Sequence, residues 1–274
     1  MADNRPIGIL DSGIGGLTIA RAVTERLPHE QIIFFGDTAH LPYGDKSTVS
    51  IRHFVNRISD FLIDKGCKAI LIACNSASAA AYSTLNKKIG RHTPVINVID
   101  PIVEYVVNNY KFKKIGIIGT KRTVTSRVYP RRFEAANPKL DINSLATPLL
   151  APMIEEGFFK NNISQTVINA YLSNYNLKDI EALVLACTHY PLIKQEIKQY
   201  YADQGQDVKI IDSTDVIAQY TEESLKNHNL LTSENAVPSH HFYVSDFTQS
   251  FQRTTNIFFG QAIKLEHASI WEKE

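Results

Sequence analysis

The sequence repeats one plan of four short apolar runs, and this repeat limits the chain to a small number of folds. The runs begin near residues 7, 32, 69 and 95, and again near 115, 142, 182 and 208, so equivalent runs are 108 to 113 residues apart. Helical patterns of apolar residues separate them. Strands that alternate with helices favour parallel sheets with right-handed crossover connections. The repeat therefore predicts an α/β protein of two tandem, pseudo-symmetric domains with mostly parallel sheets.

The tail, from residue 213 onward, has no counterpart in the repeat. Its patterns predict a helix over 216–227, a strand near 241–244 and a last strand near 263–265, but its apolar content is too small for a core of its own. We therefore expect the tail to complete the first unit. The first predicted domain is discontinuous, residues 1–98 with 210–274, and the second, residues 99–209, is inserted in it.

Composition gives no reason to expect nucleic acid or a membrane as a partner. The 274 residues carry a formal net charge of +1, which gives no electrostatic reason to bind anionic polymers or lipids. No apolar run approaches the roughly 20 residues of a membrane-spanning helix, and the first residues lack the apolar segment of a secretory signal. Three cysteines, an odd and low number, fit a reducing compartment better than a disulfide framework. We expect a cytoplasmic protein.

Two of the three cysteines occupy matching places in the repeat. Cys74 follows the apolar run at 69–72, Cys187 follows the run at 182–185, and polar residues come after each. A lone cysteine is usually a small buried hydrophobe, as we expect for Cys67. The matched pair instead lies beyond the carboxyl ends of strands, where ligands bind in open α/β sheets, and a helix amino terminus after each would lower its pKa. The pair predicts one site with a sulfur on either side, suited to two opposed acid/base groups.

Other polar residues are candidates for the same site, since the strand ends of the two units would line one cleft if the units face each other. Three of them end a strand or follow one: Asp11, Asp37 and Thr120. Three more suit both a helix cap and the binding of a substrate carboxylate: Asn75, Ser76 and Thr188. His189 lies two residues after Cys187, where an imidazole suits a proton relay. Glu155 and Glu156 are typical of an acidic pair that opens a helix, either as a complement to the helix dipole or with a catalytic role.

Two other functional classes agree with parts of the sequence. The turn at 13–16 follows the first strand, as a dinucleotide-binding turn does, and Asp37 ends the second strand at a suitable distance. However, Thr18 stands where the third glycine belongs, and this hypothesis leaves the cysteines unexplained. A thiol redox protein is the other class, but the sequence has no CxxC. It has no HExxH either, and the adjacent His240 and His241 would point to opposite faces of a strand, so we expect no metal site.

Four motifs carry a family resemblance: DSGIGG at 11–16, PYG at 42–44, ACNSAS at 73–78 and CTHYP at 187–191. Together they closely resemble the glutamate racemases of the aspartate/glutamate racemase superfamily. The resemblance implies interconversion of L- and D-glutamate without pyridoxal phosphate, metal or any other cofactor. It also implies a supply of D-glutamate for bacterial peptidoglycan. A homodimer is compatible with the resemblance.

The resemblance further implies roles for individual residues. Cys74 would take the α-proton from D-glutamate and Cys187 would take it from L-glutamate. Asp11 would assist the first thiol and His189 the second. An assisting glutamate maps onto Glu155, with Glu156 as the alternative. Substrate binding is assigned to residues of the four motifs, with the strand-end residue Thr120 as a further candidate: Asp11, Ser12, Tyr43, Gly44, Asn75, Ser76, Thr188 and His189.

Overall fold

The strands of the described residues form two parallel sheets. The computed structural model describes residues 3–271, apart from the side chains of Ser250 and Arg253. Ten strands occur in the described range: β1 (Ile7–Asp11), β2 (Ile32–Gly36), β3 (Ala69–Ile72), β4 (Val95–Asn97), β5 (Lys114–Gly119), β6 (Asp141–Ala146), β7 (Ala182–Ala186), β8 (Lys209–Ile211), β9 (His241–Val244) and β10 (Leu265–His267). They form a six-stranded sheet, in the order β10-β9-β2-β1-β3-β4, and a four-stranded sheet, in the order β6-β5-β7-β8.

The two sheets share one topology. In the first sheet β1 lies between β2 and β3, and β4 pairs with β3. In the second, β5 lies between β6 and β7, and β8 pairs with β7. All of these pairings are parallel, as are those of β9 with β2 and with β10. Because four strands recur in the same order, the predicted fold of two tandem, parallel α/β units is confirmed.

Helices connect the strands and cover the faces of the sheets. The described residues form eleven α-helices: α1 (Leu17–Arg26), α2 (Thr48–Asp64), α3 (Asn75–Ile89), α4 (Asp100–Asn109), α5 (Lys121–Thr125), α6 (Val128–Ala136), α7 (Leu150–Glu155), α8 (Asn162–Leu172), α9 (Lys194–Asp203), α10 (Thr214–Asn227) and α11 (Gln249–Phe259). Side-chain oxygens of Ser47 and Thr120 accept backbone N–H groups at the starts of α2 and α5, as is favourable there. None of the described helices combines the length and apolar character needed to cross a membrane.

Side chains at the ends of β4 and β3 lead the chain into the next helices. Asn97 ends β4, and its side-chain Oδ1 accepts the backbone N–H groups of Ile99 and Asp100 at 2.8 and 2.9 Å. These hydrogen bonds turn the chain into α4. After β3, α3 begins at Asn75, so Cys74 immediately precedes it.

The tail extends the first sheet. β9 pairs with β2 and β10 pairs with β9, so strands from both ends of the described chain join the six-stranded sheet. The tail helix α10 packs against α1. β8 lies whole in the second sheet, although the boundary predicted at residue 210 would divide it. The division into residues 1–98 with 210–274, and 99–209, stays a prediction.

Successive side chains of a strand point to opposite faces of its sheet, and the two faces of the first sheet pack into different apolar clusters. In β3, Leu71 belongs to one cluster, whereas Ile70 and Ile72 belong to another that covers the opposite face of the first sheet. The cluster with Leu71 also contains Leu183 and Leu185 of β7. Apolar contacts are therefore continuous between the two units, and burial of this shared surface holds them together.

A buried ion pair connects the start of β3 to the rest of the first unit. Lys68 Nζ lies 2.6 Å from Glu30 Oε2, and both side chains are buried. Lys68 also donates to the carbonyl oxygen of Asp3 at 2.6 Å. The other carboxylate oxygen of Glu30 accepts the N–H of Thr232, in the tail, at 2.8 Å. Both charges are thus compensated within the protein, which is the condition for tolerating them there.

Substitution of Lys68→Met is expected to lower the free energy of unfolding by about 3–5 kcal/mol, because it leaves the Glu30 carboxylate buried without its cation. The matched control is Lys88→Met, which breaks an exposed ion pair with Asp60 and should change stability by less than about 1 kcal/mol. Urea unfolding followed by circular dichroism measures both. Equal losses in the two variants would contradict the structural role of the buried pair.

Candidate active site

The carboxyl ends of central strands from both sheets meet at one partly enclosed cavity, with an empty volume of about 450 Å³. Eleven residues that the sequence predicts for the site line it: Ser12, Tyr43, Gly44, Cys74, Asn75, Ser76, Thr120, Glu155, Cys187, Thr188 and His189. Five others complete the lining: Leu41, Pro42, Ala151, Pro152 and Ala186. Asp11 is buried and does not line the cavity. The two sulfurs therefore border one shared space.

Cys74 is held as a neutral thiol. Its Sγ lies 3.5 Å from Ser12 Oγ and accepts the backbone N–H of Ala77, also at 3.5 Å. Burial, together with the negative charge of Asp11, nevertheless raises the pKa of Cys74 to about 12. The start of α3 lowers this pKa through the N–H of Ala77, as expected, but the cost of burying a thiolate exceeds that effect, so the prediction of a lowered pKa for Cys74 is wrong.

His189 connects Cys187 to a carboxylate. Its Nδ1 lies 3.6 Å from Cys187 Sγ, and its Nε2 lies 2.8 Å from Glu155 Oε1. Burial alone would lower the pKa of His189, but hydrogen bonds to Cys187 and Glu155 raise it well above its usual value. A protonated imidazole beside Cys187 provides a cationic partner for a thiolate and a proton to return to it. No helix begins directly after Cys187, since a 3-10 turn (Tyr190–Ile193) precedes α9.

Of the two adjacent glutamates, Glu155 reaches the site. Glu156 is exposed, whereas Glu155 lines the cavity and pairs with His189. The two residues do not open a helix, as the sequence suggested, because α7 ends at Glu155. A carboxylate at a helix carboxyl end opposes the helix dipole, so the contact with His189 is what compensates its charge.

Asp11 lies at the end of β1 with a fully buried carboxylate. Its Oδ2 accepts the backbone N–H groups of Gly13 and Gly16 at 3.1 and 3.0 Å, and its Oδ1 has no hydrogen-bond partner within residues 3–271. Burial raises the pKa of Asp11, although the nearby His189 and the two N–H groups act in the opposite direction. Asp11 does not line the cavity, but its negative charge raises the pKa of Cys74.

The glycines of the first turn allow close packing at the site. A Cβ at Gly15 would lie 2.3 Å from Cε1 of His189, and a Cβ at Gly16 would lie 2.6 Å from Cβ of Asp11. Any larger residue would displace these side chains. The turn therefore brings the imidazole of the second unit against the first unit, which is a different use of glycine from a dinucleotide-binding turn.

Asp37 is engaged inside the protein and has no free carboxylate for a ribose. The hydroxyls of Tyr43 and Ser245 donate to its two oxygens at 2.6 and 2.7 Å, and His40 Nδ1 lies 3.0 Å from both. Burial and the charge of Asp37 raise the pKa of Tyr43 well above its usual value. The Tyr43 hydroxyl therefore donates to Asp37, and this hydrogen bond holds the PYG loop in place. Asp37 was the acidic residue that supported the dinucleotide-binding hypothesis, and these hydrogen bonds remove that support.

Polar groups of both units meet at the start of α3. Ser76 Oγ lies 2.8 Å from Thr120 Oγ1. Asn75 Oδ1 accepts the hydroxyl of Tyr129 at 2.7 Å, and Asn75 Nδ2 is buried without a partner in the described structure. A Cβ at Gly44 would lie 2.9 Å from Thr120 Cβ, so the PYG loop approaches the second unit closely only because it has glycine there. The amide and hydroxyl groups are suitable donors for a ligand carboxylate.

Cys67 is not part of this site, and the described residues contain no cluster suited to bind a metal ion. Cys67 precedes β3, whereas Cys74 follows it, and Cys67 is packed in an apolar cluster. All three cysteines are free. Across residues 3–271, no three or more His, Cys, Asp or Glu side chains are placed to hold a metal ion together.

Sequence reasoning missed several residues at or next to the cavity. Five residues line it without having been predicted for the site, and of these only Pro42 belongs to the PYG motif: Leu41, Pro42, Ala151, Pro152 and Ala186. Thr123 Oγ1 lies 3.2 Å from Thr120 Oγ1, and Tyr129 contacts Asn75. Neither of these two lies in a motif, so the sequence alone carried no signal for them.

The site can now be compared with known proteins. Residues 17–221 match the Asp/Glu/Hydantoin racemase family. The chain belongs to this family. As a member of it, the protein is an amino-acid racemase, an isomerase, and the resemblance carried by the four motifs is confirmed.

Relatives in sequence and in structure span almost the whole of this racemase. A glutamate racemase of Neisseria meningitidis serogroup C is 40% identical over 260 residues, which are 95% of this chain and 94% of the relative. One from Geobacter metallireducens is 36% identical over 256 residues, 93% of each protein. The crystal structure of a glutamate racemase from Francisella tularensis in complex with D-glutamate matches with a TM-score of 0.91 at 39% identity, over 99% of this chain and 100% of that one.

Substitution of Glu155→Gln is expected to lower the pKa of His189, because it removes the carboxylate that stabilises the imidazolium. The imidazolium would then be lost at a lower pH than in the unsubstituted racemase. NMR titration of ¹⁵N-labelled histidine measures the midpoint. Glu156→Gln removes the neighbouring, exposed carboxylate and should leave the midpoint in place. A shift of the same size in both variants would contradict the assignment of Glu155.

Substitution of Gly15→Ala is expected to reduce racemase activity by about 100-fold, because the new methyl group displaces the ring of His189. Gly13→Ala is the matched control in the same turn. Its added Cβ would find Leu41 Cδ2 at 3.6 Å, an ordinary contact, so activity should stay within about threefold. A steady-state racemisation assay compares the two, and equal activities would show that the His189 contact is unimportant.

Proposed function

We propose that this racemase interconverts L- and D-glutamate by two-base proton transfer at the α-carbon, with Cys74 and Cys187 on opposite sides of the substrate. The observation that carries the proposal is that the two thiols follow equivalent strands of the two units and line a single cavity. Glutamate as the substrate is supported by the relatives, which are glutamate racemases, and by the D-glutamate bound to the Francisella tularensis enzyme.

Conversion of L-glutamate begins at Cys187. Its thiolate removes the α-proton, and the electron pair of the C–H bond stays on the α-carbon as a carbanion. Cys74 then donates its thiol proton to the opposite face, which inverts the centre. The proton taken from the substrate remains on Cys187, and Cys74 is left as the thiolate. The raised pKa of Cys74 suits the acid in this direction, and the cationic His189 suits a thiolate at Cys187.

Conversion of D-glutamate uses the same groups in reverse, beginning at Cys74. This thiol first needs to lose its proton, which burial opposes. Asp11 is suited to accept that proton, because its own pKa is raised by burial and its Oδ1 has no partner in the described structure. Cys187 is then the acid, and His189 supplies its proton. Each thiol thus has its own assisting group.

The carbanion needs donors at the α-carboxylate, where negative charge develops. Donors placed beforehand stabilise such charge strongly in a site that excludes water. Four side chains that line the cavity can provide them: Asn75, Ser76, Thr120 and Thr188. Two of these belong to each unit, so the donor set is complete only when both units close on the substrate.

We place the reaction in the cytoplasm and its product, D-glutamate, in peptidoglycan synthesis, as the family resemblance implies. Both acid/base groups are free thiols that act only while reduced, which suits a reducing compartment. Rescue of a bacterium that cannot grow without added D-glutamate tests the second part. Assembly as a homodimer stays a prediction that sedimentation measures directly.

Substitutions of Cys74→Ser and Cys187→Ser are each expected to lower kcat by at least about 100-fold, because each removes one of two acid/base groups. Circular dichroism of the reaction with each glutamate enantiomer measures the rate. Cys67→Ser makes the same chemical change at the amino end of β3, away from the cavity, and should keep the activity. Near-full activity in either cavity variant would refute the two-base scheme.

The same reaction in deuterated water, with the α-hydrogen of substrate and product followed by ¹H NMR, separates two bases from one. With two bases, the product acquires its α-hydrogen from the opposite thiol, which exchanges with solvent. Early in the reaction the product should therefore carry deuterium, while unreacted substrate keeps its hydrogen. Transfer of the original hydrogen into the product would indicate a single base that serves both faces.

A further inference from the structure

Tyr129 joins the second unit to the first at the cavity. It lies on α6 with 2% of its surface exposed, and its hydroxyl donates to Asn75 Oδ1 at 2.7 Å. Asn75 is the first residue of α3, next to Cys74, and lines the cavity. Tyr129 itself does not line the cavity. A side chain behind the site thus contacts a side chain within it.

The phenol is suited to a donor role. Burial raises the pKa of Tyr129, and the negative charge of Asp100 raises it further. The hydroxyl therefore stays protonated throughout the working range of pH. Since a carbonyl oxygen only accepts hydrogen bonds, the donor fixes which side of the Asn75 amide faces it.

The other end of the same amide is free. Asn75 Nδ2 is buried and has no hydrogen-bond partner in the part of the chain that the structure describes. Buried polar groups of this kind are rarely left unpaired, because an unmet hydrogen bond costs free energy. With Oδ1 taken by Tyr129, the NH₂ group is what Asn75 offers to a ligand in the cavity.

We propose that Tyr129 is a positioning residue, which holds the Asn75 amide with its NH₂ group toward the carboxylate of the bound amino acid. The inference rests on the proposed binding of substrate by Asn75. Without the phenol hydroxyl, no hydrogen bond in the described structure fixes the orientation of the Asn75 amide, and its carbonyl oxygen faces the carboxylate in part of the molecules. The two oxygens repel one another, so those molecules bind substrate weakly.

Tyr129→Phe tests this role, because it removes the hydroxyl and keeps the ring in its pocket. KM for both glutamate enantiomers should rise about tenfold, the loss expected when a hydrogen bond to a charged group is weakened, whereas kcat should change less. Tyr201→Phe is the control, since Tyr201 is also buried and its hydroxyl has no partner in the described structure. Its KM should be unchanged, and thermal unfolding of both variants separates a binding effect from a loss of fold.

A double-mutant cycle with Asn75→Ala decides whether Tyr129 acts through Asn75. Asn75→Ala should raise KM, and adding Tyr129→Phe to it should raise KM no further. An equal KM increase from Tyr129→Phe in both backgrounds would overturn the positioning role. So would an unchanged KM in the single variant.

Asn75→Asp provides a test that leaves Tyr129 intact. The substitution keeps an acceptor for the phenol and puts a carboxylate oxygen in place of the NH₂ group, so substrate binding should weaken more than in Asn75→Ala. Binding as tight as in the unsubstituted racemase would overturn the inference. Failure of the unsubstituted racemase to act on glutamate would instead refute the proposed function, and the two failures are therefore distinct.

Discussion

The close contact between the two units at the strand ends is the constraint on which the site depends. Apolar side chains of both sheets share one cluster, and the imidazole of His189 occupies the space that a side chain on Gly15 would need. Thr18 Oγ1, also in the first unit, donates to the carbonyl oxygen of Thr188 at 3.0 Å. These contacts bring two sets of strand ends to one cavity, so a thiol from each unit borders the same space, as the proposed two-base reaction requires.

Duplication of the fold did not produce two equal half-sites. Cys74 has Asp11 behind it and burial keeps it a thiol, whereas Cys187 has a cationic imidazole beside it. Opposite electrostatic surroundings suit the proposed scheme, in which one thiol removes a proton from one face of the substrate and the other thiol donates a different proton to the opposite face. The backbone is pseudo-symmetric, but the charges around the two sulfurs are not. The two thiols therefore differ in their electrostatic surroundings before any substrate binds.

The sequence predicted most of the fold because strong apolar runs and their spacing report strand order directly. It also placed the thiols, since ligand sites of α/β sheets lie at strand ends. It failed where three-dimensional packing decides. The pKa of Cys74 depends on burial, which a helix start does not reveal. The resemblance put Glu155 first but left Glu156 as an alternative, because only the position where α7 ends separates them, and Tyr129 reaches Asn75 from a helix that carries no motif.

The hydrogen bonds of Asp37 give the tail a connection to the cavity. Ser245, which follows β9, and Tyr43 of the PYG loop share that one carboxylate, although Ser245 is 208 residues from Asp37 in sequence. Sequence changes in the tail would therefore alter how firmly the PYG loop is held. A substitution that displaces Ser245 would loosen the PYG loop without altering any residue that lines the cavity, and inhibitor design that considers only the cavity would overlook this support.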